Sequence, residues 1–133
     1  MCIRDRLHII RRMVVDLSMP IQLLGVDTAR ETSGLALSSR NGYLTEQERE
    51  VAPELFQQLT AIKTAIINGS TDFHLLIESA EQRLEKRGFR RDYIHVLRQE
   101  DLHPAQPTDK NLVIIAAAYL GHARLIDNLE INI

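Results

Sequence analysis

Cysteine is nearly absent from this chain, and long apolar runs are absent altogether. Cys2 is the single cysteine among 133 residues, so no disulfide can form within the chain. No stretch reaches the roughly 18 consecutive apolar residues that predict a membrane-spanning helix. Residues 1–6 include Arg4, Asp5 and Arg6 and are too charged for a secretory signal. We therefore expect a cytoplasmic protein, in a reducing compartment, that does not bind a membrane.

An excess of charge of either sign is also missing. Sixteen Lys and Arg residues stand against eighteen Asp and Glu residues, which gives a formal net charge of −2. This balance excludes a general attraction to nucleic acid or to anionic membranes. The basic pairs Arg11-Arg12 and Arg90-Arg91 lack interleaved aromatic residues and are typical of solvated surfaces. A non-enzymatic interaction domain or nucleic-acid-binding domain built around these pairs stays open as an alternative function.

Several familiar catalytic patterns are missing as well. The histidines form no His-Glu-x-x-His pattern and no paired cysteines exist, so we predict no metal ligand in the chain. No G-x-x-x-x-G-K segment is present, which excludes a P-loop. No G-x-S-x-G segment is present either, so Ser38 and Ser39 are expected to donate hydrogen bonds rather than to act as nucleophiles. No catalytic residue is predicted.

The composition of the chain is typical of one globular domain. Hydrophobic residues make up 44% and charged residues 26%, which is typical of a chain that buries a core. Apolar residues spaced three and four apart predict a helix over residues 7–17, ended by Pro20. The apolar run 21–26 predicts a strand, and this helix–strand order is typical of the closing half of an α/β unit. Residues 27–43 predict a long surface loop, and long ordered loops are commonly functional.

The remaining residues predict a small α+β unit. Thr45 and Glu48 have the capping-box spacing, which predicts the start of a helix. Two further helices are predicted over residues 53–68 and 72–87, and three strands over residues 93–98, 112–120 and 125–131, with a proline-containing loop at 99–111.

The most informative segment is 34–44, inside the long loop. Ser38, Ser39 and Arg40 lie between glycines that allow the backbone to turn its N–H groups outward. A guanidinium can contact two phosphate oxygens at once, and each hydroxyl can donate one further hydrogen bond. These are the parts of a phosphate-binding loop. An ordinary solvent-exposed turn uses the same residue types and stays open at this point.

A second distinctive segment, 118–128, combines small residues, a glycine and two opposite charges. Arg124 and Asp127 are close enough in sequence to meet, so we expect a structural turn with an internal ion pair between them.

Three blocks carry a resemblance to a known family: Gly25-Val26, the segment 34–45 with its Ser-Ser-Arg-Asn sequence, and the tail 120–128 with Arg-Leu-Ile-Asp-Asn. Together they resemble the C-terminal part of the pantoate–β-alanine ligase family, in register from about residue 7 to residue 133.

The resemblance implies an ATP-dependent ligase of the class I synthetase-like nucleotidyltransferase superfamily. Pantoate would be adenylated, β-alanine would then displace AMP, and pantothenate would be the product. The implied ATP-binding residues are Leu37, Ser38, Ser39 and Arg40, in a KMSKS-type loop over the phosphates, and Ala29, whose backbone would meet the adenine. The resemblance further implies Mg²⁺ with the ATP, a homodimer for the full-length protein, and neither nucleic acid nor membrane as partners.

The sequence also departs from the family pattern. It contains neither the His-x-Gly-His-type motif nor the Gly-x-Lys-Asp motif of the family's N-terminal half, so we expect a fragment that is inactive alone. In register, Cys2 stands in place of the catalytic Lys, Arg6 in place of a pantoate-binding Gln, and Asp27 in place of a Pro.

The expected fold class is α/β. A closing helix and strand of a Rossmann-like nucleotidyltransferase domain (residues 1–28) would be followed by a phosphate-binding loop and hinge (29–44). A small α+β lid domain with a mainly antiparallel sheet (45–133) would complete the chain. Another adenylate-forming nucleotidyltransferase that shares only the phosphate-binding loop remains an alternative.

Overall fold

A computed structural model describes residues 3–133 as four α-helices, one 3₁₀ turn and three strands. The elements are α1 (Ile3–Asp16), the 3₁₀ turn (Ser39–Tyr43), α2 (Glu46–Val51), α3 (Glu54–Ile67), α4 (Phe73–Lys86), β1 (Phe89–Arg98), β2 (Asn111–Leu120) and β3 (Ala123–Asn132). The predicted combination of helices with a mainly antiparallel sheet is confirmed. Within the described range, no helix is both long and apolar enough to cross a membrane.

The three strands form one antiparallel sheet in the order β1-β2-β3. β2 is the central strand, and its residues from Leu112 to Ala118 are all buried. The connection between β2 and β3 is short, and Gly121 within it has a φ of +56°, a left-handed conformation that favours glycine. The run at 112–120, whose apolar character is compatible with a strand or a buried helix, is therefore a strand.

Helices α3 and α4 cover one face of this sheet. The fully buried side chains come from both layers and include Leu59, Leu84, Leu112, Ile114 and Ile131. Leucine and isoleucine at these positions give each helix an apolar face and leave polar residues toward solvent. The core therefore lies between the two helices and the sheet. This packed unit supports the loop at residues 29–44 that precedes it in the chain.

The helix ends follow the local signals in the sequence. The Thr45 hydroxyl accepts the Glu48 N–H at 3.2 Å, and the Glu48 carboxylate accepts the Thr45 N–H at 2.9 Å, which completes the predicted capping box. Asp72 caps α4 by accepting the Leu75 N–H at 3.0 Å.

The N-terminal segment differs from its prediction in one respect. The helix forms, but the predicted strand at residues 21–26 has no ladder partner anywhere in residues 3–133. Leu24 and Val26 are 75% and 92% exposed. A strand obtains its hydrogen bonds and its burial from a neighbouring strand, and no strand of the described sheet lies beside this run. Residues 21–26 therefore form no strand within the described part of the chain.

Candidate functional site

The residues before the predicted phosphate-binding loop fold back as a small hairpin. Arg30 and Ala36 form an isolated antiparallel bridge, and the Leu37 N–H donates to the Ala29 carbonyl at 2.9 Å. Gly34, in the turn, has a φ of +94°. A Cβ at this position would lie 2.8 Å from Cδ1 of Phe56, so both the backbone conformation and the space require glycine.

Ser38 begins the 3₁₀ turn that carries the candidate phosphate ligands. Its hydroxyl accepts the Arg40 N–H at 3.2 Å, and its carbonyl accepts the Asn41 N–H at 3.1 Å. Asn41 is buried and donates from Nδ2 to the Ala36 carbonyl at 3.0 Å. Its Oδ1 is buried and makes no hydrogen bond among the described residues. The amide of Asn41 therefore joins the turn to the hairpin before it.

Ser39 and Arg40 project from this turn into solvent. Both are exposed, and across residues 3–133 neither side chain makes a hydrogen bond or an ion pair. An exposed guanidinium next to an exposed hydroxyl can bind an anion without first breaking an internal contact. Both side chains are therefore accessible to an anion, and phosphate binding by them stays a prediction.

A large open groove runs beside the turn, with a volume of about 1080 Å³. It is lined by Val26, Ala29, Leu37 and Ser38, and also by residues of α1, α3 and β3. The structure thus places three of the five predicted ATP-binding residues on one groove. Ser39 and Arg40 follow Ser38 along the turn and lie outside that lining. The Ala29 carbonyl already accepts the Leu37 N–H, so its carbonyl is engaged within the loop.

Arg30, which no sequence pattern singled out, joins this loop to β3. Arg30 donates two hydrogen bonds to Asp127 on β3, from Nη1 to Oδ2 at 2.6 Å and from Nη2 to Oδ1 at 2.8 Å. It also donates to the Gly34 carbonyl at 3.0 Å, and its Cζ lies 3.8 Å from the centre of the Phe56 ring. No local pattern could have revealed this pair, because its members are 97 positions apart.

The expected ion pair between Arg124 and Asp127 is wrong. Arg124 instead pairs with Asp92 on β1, with Nε 2.8 Å and Nη2 2.7 Å from Oδ2. This hydrogen bond raises the pKa of the Arg124 guanidinium above its ordinary value. On a strand, residues three apart point to opposite faces of the sheet, so Arg124 and Asp127 cannot meet.

The groups that could bind a metal ion are scattered among the described residues. Within the part of the chain that the structure describes, no three His, Cys, Asp or Glu side chains are close enough to hold a metal ion. Any Mg²⁺ that accompanies ATP would therefore not fit a preformed set of protein ligands here.

Comparison with known proteins identifies the family to which the chain belongs. The family model for pantoate-beta-alanine ligase matches residues 4–130. The chain is 49% identical over 129 residues to the pantothenate synthetase of Pseudomonas fluorescens and 49% identical over 129 residues to that of Marinomonas sp.. These alignments cover 97% of this chain and 45% and 46% of the two relatives.

Solved structures agree with these relatives. The pantothenate synthetase of Thermus thermophilus superposes with a TM-score of 0.89 at 37% identity, covering 99% of this chain and 48% of that one. A pantoate-beta-alanine ligase from Francisella tularensis, complexed with beta-gamma ATP and beta-alanine, gives a TM-score of 0.66 at 26% identity, covering 96% and 40%.

These neighbours place the chain among proteins of the nucleotidyltransferase fold, as expected. The chain belongs to the pantoate–β-alanine ligase family. It spans about half the length of the curated relatives it matches. Because the match extends over residues 4–130, it decides against an unrelated adenylate-forming protein that shares only the phosphate-binding loop. Cys2, which the resemblance predicts in place of the family's catalytic Lys, lies outside the described residues.

Proposed function

We propose that this chain supplies the phosphate-binding side of an ATP-dependent ligase that condenses pantoate with β-alanine to pantothenate. The observation that carries the proposal is the exposure of Ser39 and Arg40, whose side chains have no hydrogen-bond or ion-pair partner among residues 3–133. They follow Ser38 at the edge of a groove large enough for a nucleotide. Family membership supports it, as does the Francisella tularensis relative complexed with beta-gamma ATP and beta-alanine.

The proposed reaction has two steps. A carboxylate oxygen of pantoate attacks the α-phosphorus of ATP, the bond to the β-phosphate oxygen breaks, and pyrophosphate leaves. The amine of β-alanine then attacks the acyl carbon of pantoyl adenylate, loses a proton and releases AMP. No covalent bond to the protein forms in either step.

The loop acts on the first step, because negative charge accumulates on the leaving pyrophosphate. Arg40 contributes a fixed positive charge with two donors, and Ser38 and Ser39 contribute hydroxyl donors. Donors that are already in position stabilise the transition state more than the ground state. Leu37 and Ala29 line the groove beside these donors. By the family resemblance, a backbone group of Ala29 contacts the adenine.

Three further features belong to the same proposal. Mg²⁺ accompanies the ATP phosphates and is held mainly by phosphate oxygens and water, as this ion commonly is. The full-length protein is a cytoplasmic homodimer without a nucleic-acid or membrane partner. Its layout comprises residues 1–28 of a Rossmann-like domain, the loop and hinge at 29–44, and the lid domain at 45–133.

A chimera tests the proposal directly. In the Pseudomonas fluorescens relative, the segment aligned with this chain is replaced by the chain itself, and formation of pantoyl adenylate from ATP and pantoate is followed by pyrophosphate release. We expect an active chimera. Arg40→Ala should lower its adenylation rate by about 10² to 10³, the range found when one preorganised donor is removed.

The matched control is Arg83→Ala, which removes an exposed arginine from α4, away from the groove. It should leave both rate and stability unchanged. An active chimera in which Arg40→Ala has the rate of the Arg83→Ala control would overturn the assignment of the loop. Salt-dependent binding of the 133-residue chain to DNA or RNA would instead support the nucleic-acid-binding alternative.

A further inference from the structure

The pair formed by Arg30 and Asp127 lies where the fold would ordinarily place apolar side chains. Asp127 pairs with Ala116 in the sheet register and lies on the face that α3 and α4 cover. Its side chain is only 4% exposed, and that of Arg30 is 18% exposed. An ion pair in such a place gains little net stability, because removing both charges from water offsets most of their attraction.

What an ion pair does provide here is one fixed geometry. The two hydrogen bonds from guanidinium to carboxylate allow a single relative orientation. Two further hydrogen bonds, to the Gly34 carbonyl at 3.0 Å and the Asn128 carbonyl at 3.4 Å, and the contact with the Phe56 ring also hold the guanidinium. An apolar pair of similar size would fill the space without fixing the direction in which the loop leaves the sheet.

The hairpin transmits this position to the phosphate-binding turn. The backbone of Arg30 is bridged to Ala36, and the Ala36 carbonyl accepts the Asn41 amide. The Asn41 N–H in turn donates to the Ser38 carbonyl at 3.1 Å. A continuous set of hydrogen bonds therefore leads from Asp127 on β3 to the start of the turn that carries Ser39 and Arg40.

We propose that Arg30 is a positioning residue: through its fork on Asp127, it fixes the Ser38-Ser39-Arg40 turn to β3 in the orientation that phosphate binding requires. The loop thereby keeps a fixed position relative to the sheet and helices of the α+β unit. The functional part of this proposal rests on the proposed ligase function, whereas its structural part does not.

The structural test uses the 133-residue chain and hydrogen exchange measured by NMR. The double variant Arg30→Met with Asp127→Val removes both charges of the ion pair, so neither is left buried without its partner. The global stability should therefore be retained, and the β2 amides should keep their wild-type exchange rates. The Leu37 amide, which closes the hairpin on Ala29, should exchange about tenfold faster or more, because the loop opens locally. The single variant Arg30→Met should show the same loop exchange but also lose global stability.

The matched control is Glu31→Gln, which breaks the exposed ion pair between Glu31 and Arg49 on the same loop. Its Leu37 exchange should stay within about twofold of wild type, because exposed ion pairs contribute little. Wild-type exchange of Leu37 in the double variant would overturn the proposal, since the loop would then hold its position without the fork.

The functional test uses the chimera with the Pseudomonas fluorescens N-terminal half. The double variant should lower kcat for pantoyl-adenylate formation by about tenfold or more, while KM for ATP changes less, because misplaced donors weaken transition-state contacts first. If the double variant of the chimera exchanges its Leu37 amide faster than the wild-type chimera but has the same kcat, the proposal would also be overturned. An inactive chimera with all wild-type residues would contradict the ligase function, and the exchange experiment would then decide the position of the loop independently.

Discussion

Gly34→Ala is the substitution whose effect can be worked out most closely from the structure. Gly34 has a φ of +94°, and its α-carbon faces the Phe56 ring against which Arg30 packs. A Cβ added there would lie 2.8 Å from Phe56 Cδ1. Real Cβ atoms do not approach ring carbons this closely, so the ring or the loop must move. The substitution therefore tests whether the packing of Phe56 holds the candidate phosphate-binding loop.

The chain contains two glycines that isolate this contact. Gly69 and Gly88, at the ends of α3 and α4, have φ values of +97° and +92°, and a Cβ at either would meet nothing within 4 Å. Alanine at these controls incurs only the backbone strain of about 1–2 kcal/mol, partly offset by about 0.4–1 kcal/mol from a less flexible unfolded chain. The net loss in the free energy of unfolding should be about 1 kcal/mol.

Gly34→Ala should lose this amount and also the cost of overpacking against Phe56, about 1–3 kcal/mol. Its total loss in the free energy of unfolding should thus be about 2–4 kcal/mol. At about 3–5 °C per kcal/mol for a chain of this size, its Tm should fall well below the Tm of either control.

Urea and thermal unfolding of the three alanine variants provide the measurement. A second series in a Phe56→Ala background closes a double-mutant cycle, and the extra loss at Gly34 should largely disappear there, because alanine has no δ-carbon to collide with the added Cβ. If Gly34→Ala and the two controls lose the same free energy within about 0.5 kcal/mol, the argument from Phe56 packing is wrong.

Three further predictions follow from the site and from the charges around it. Arg40→Ala should leave the free energy of unfolding of the 133-residue chain within about 0.5 kcal/mol of wild type, since the side chain is exposed and has no partner in the described range. A larger loss in urea unfolding would show that Arg40 makes a stabilising contact. The 133-residue chain alone should form no pantoyl adenylate, because its sequence has neither the His-x-Gly-His nor the Gly-x-Lys-Asp motif; adenylate detected by mass spectrometry would refute this. The hydrogen bond from the His103 N–H, together with the Arg98 guanidinium, holds the pKa of Asp101 below its ordinary value. That contribution to stability is present above the ordinary carboxyl pKa and is lost as the pH falls through the lowered one, so Asp101→Asn should reduce the loss of stability as the pH falls below about 4. An acid unfolding curve identical to wild type would show that Asp101 does not contribute.

The candidate site could be anticipated only in part. The Ser38-Ser39-Arg40 segment and its position in a long loop were evident from residue types that suit an anion, and the structure leaves Ser39 and Arg40 exposed. Their contact with ATP phosphates remains a prediction. The Arg30–Asp127 fork was not anticipated, and Arg124 was assigned the wrong carboxylate, because both pairings join elements far apart in the chain.

The sequence by itself determined the features that depend on neighbours within one or two turns. The Thr45–Glu48 capping box and the helix end at Gly69 involve only residues a few positions apart, and the apolar spacing of α3 and α4 selects their buried faces. Tertiary structure alone decided which partners the charged residues take and whether the run at 21–26 becomes a strand. A strand or a buried ion pair draws its stabilisation from groups brought together by the fold, so no local pattern contains that information.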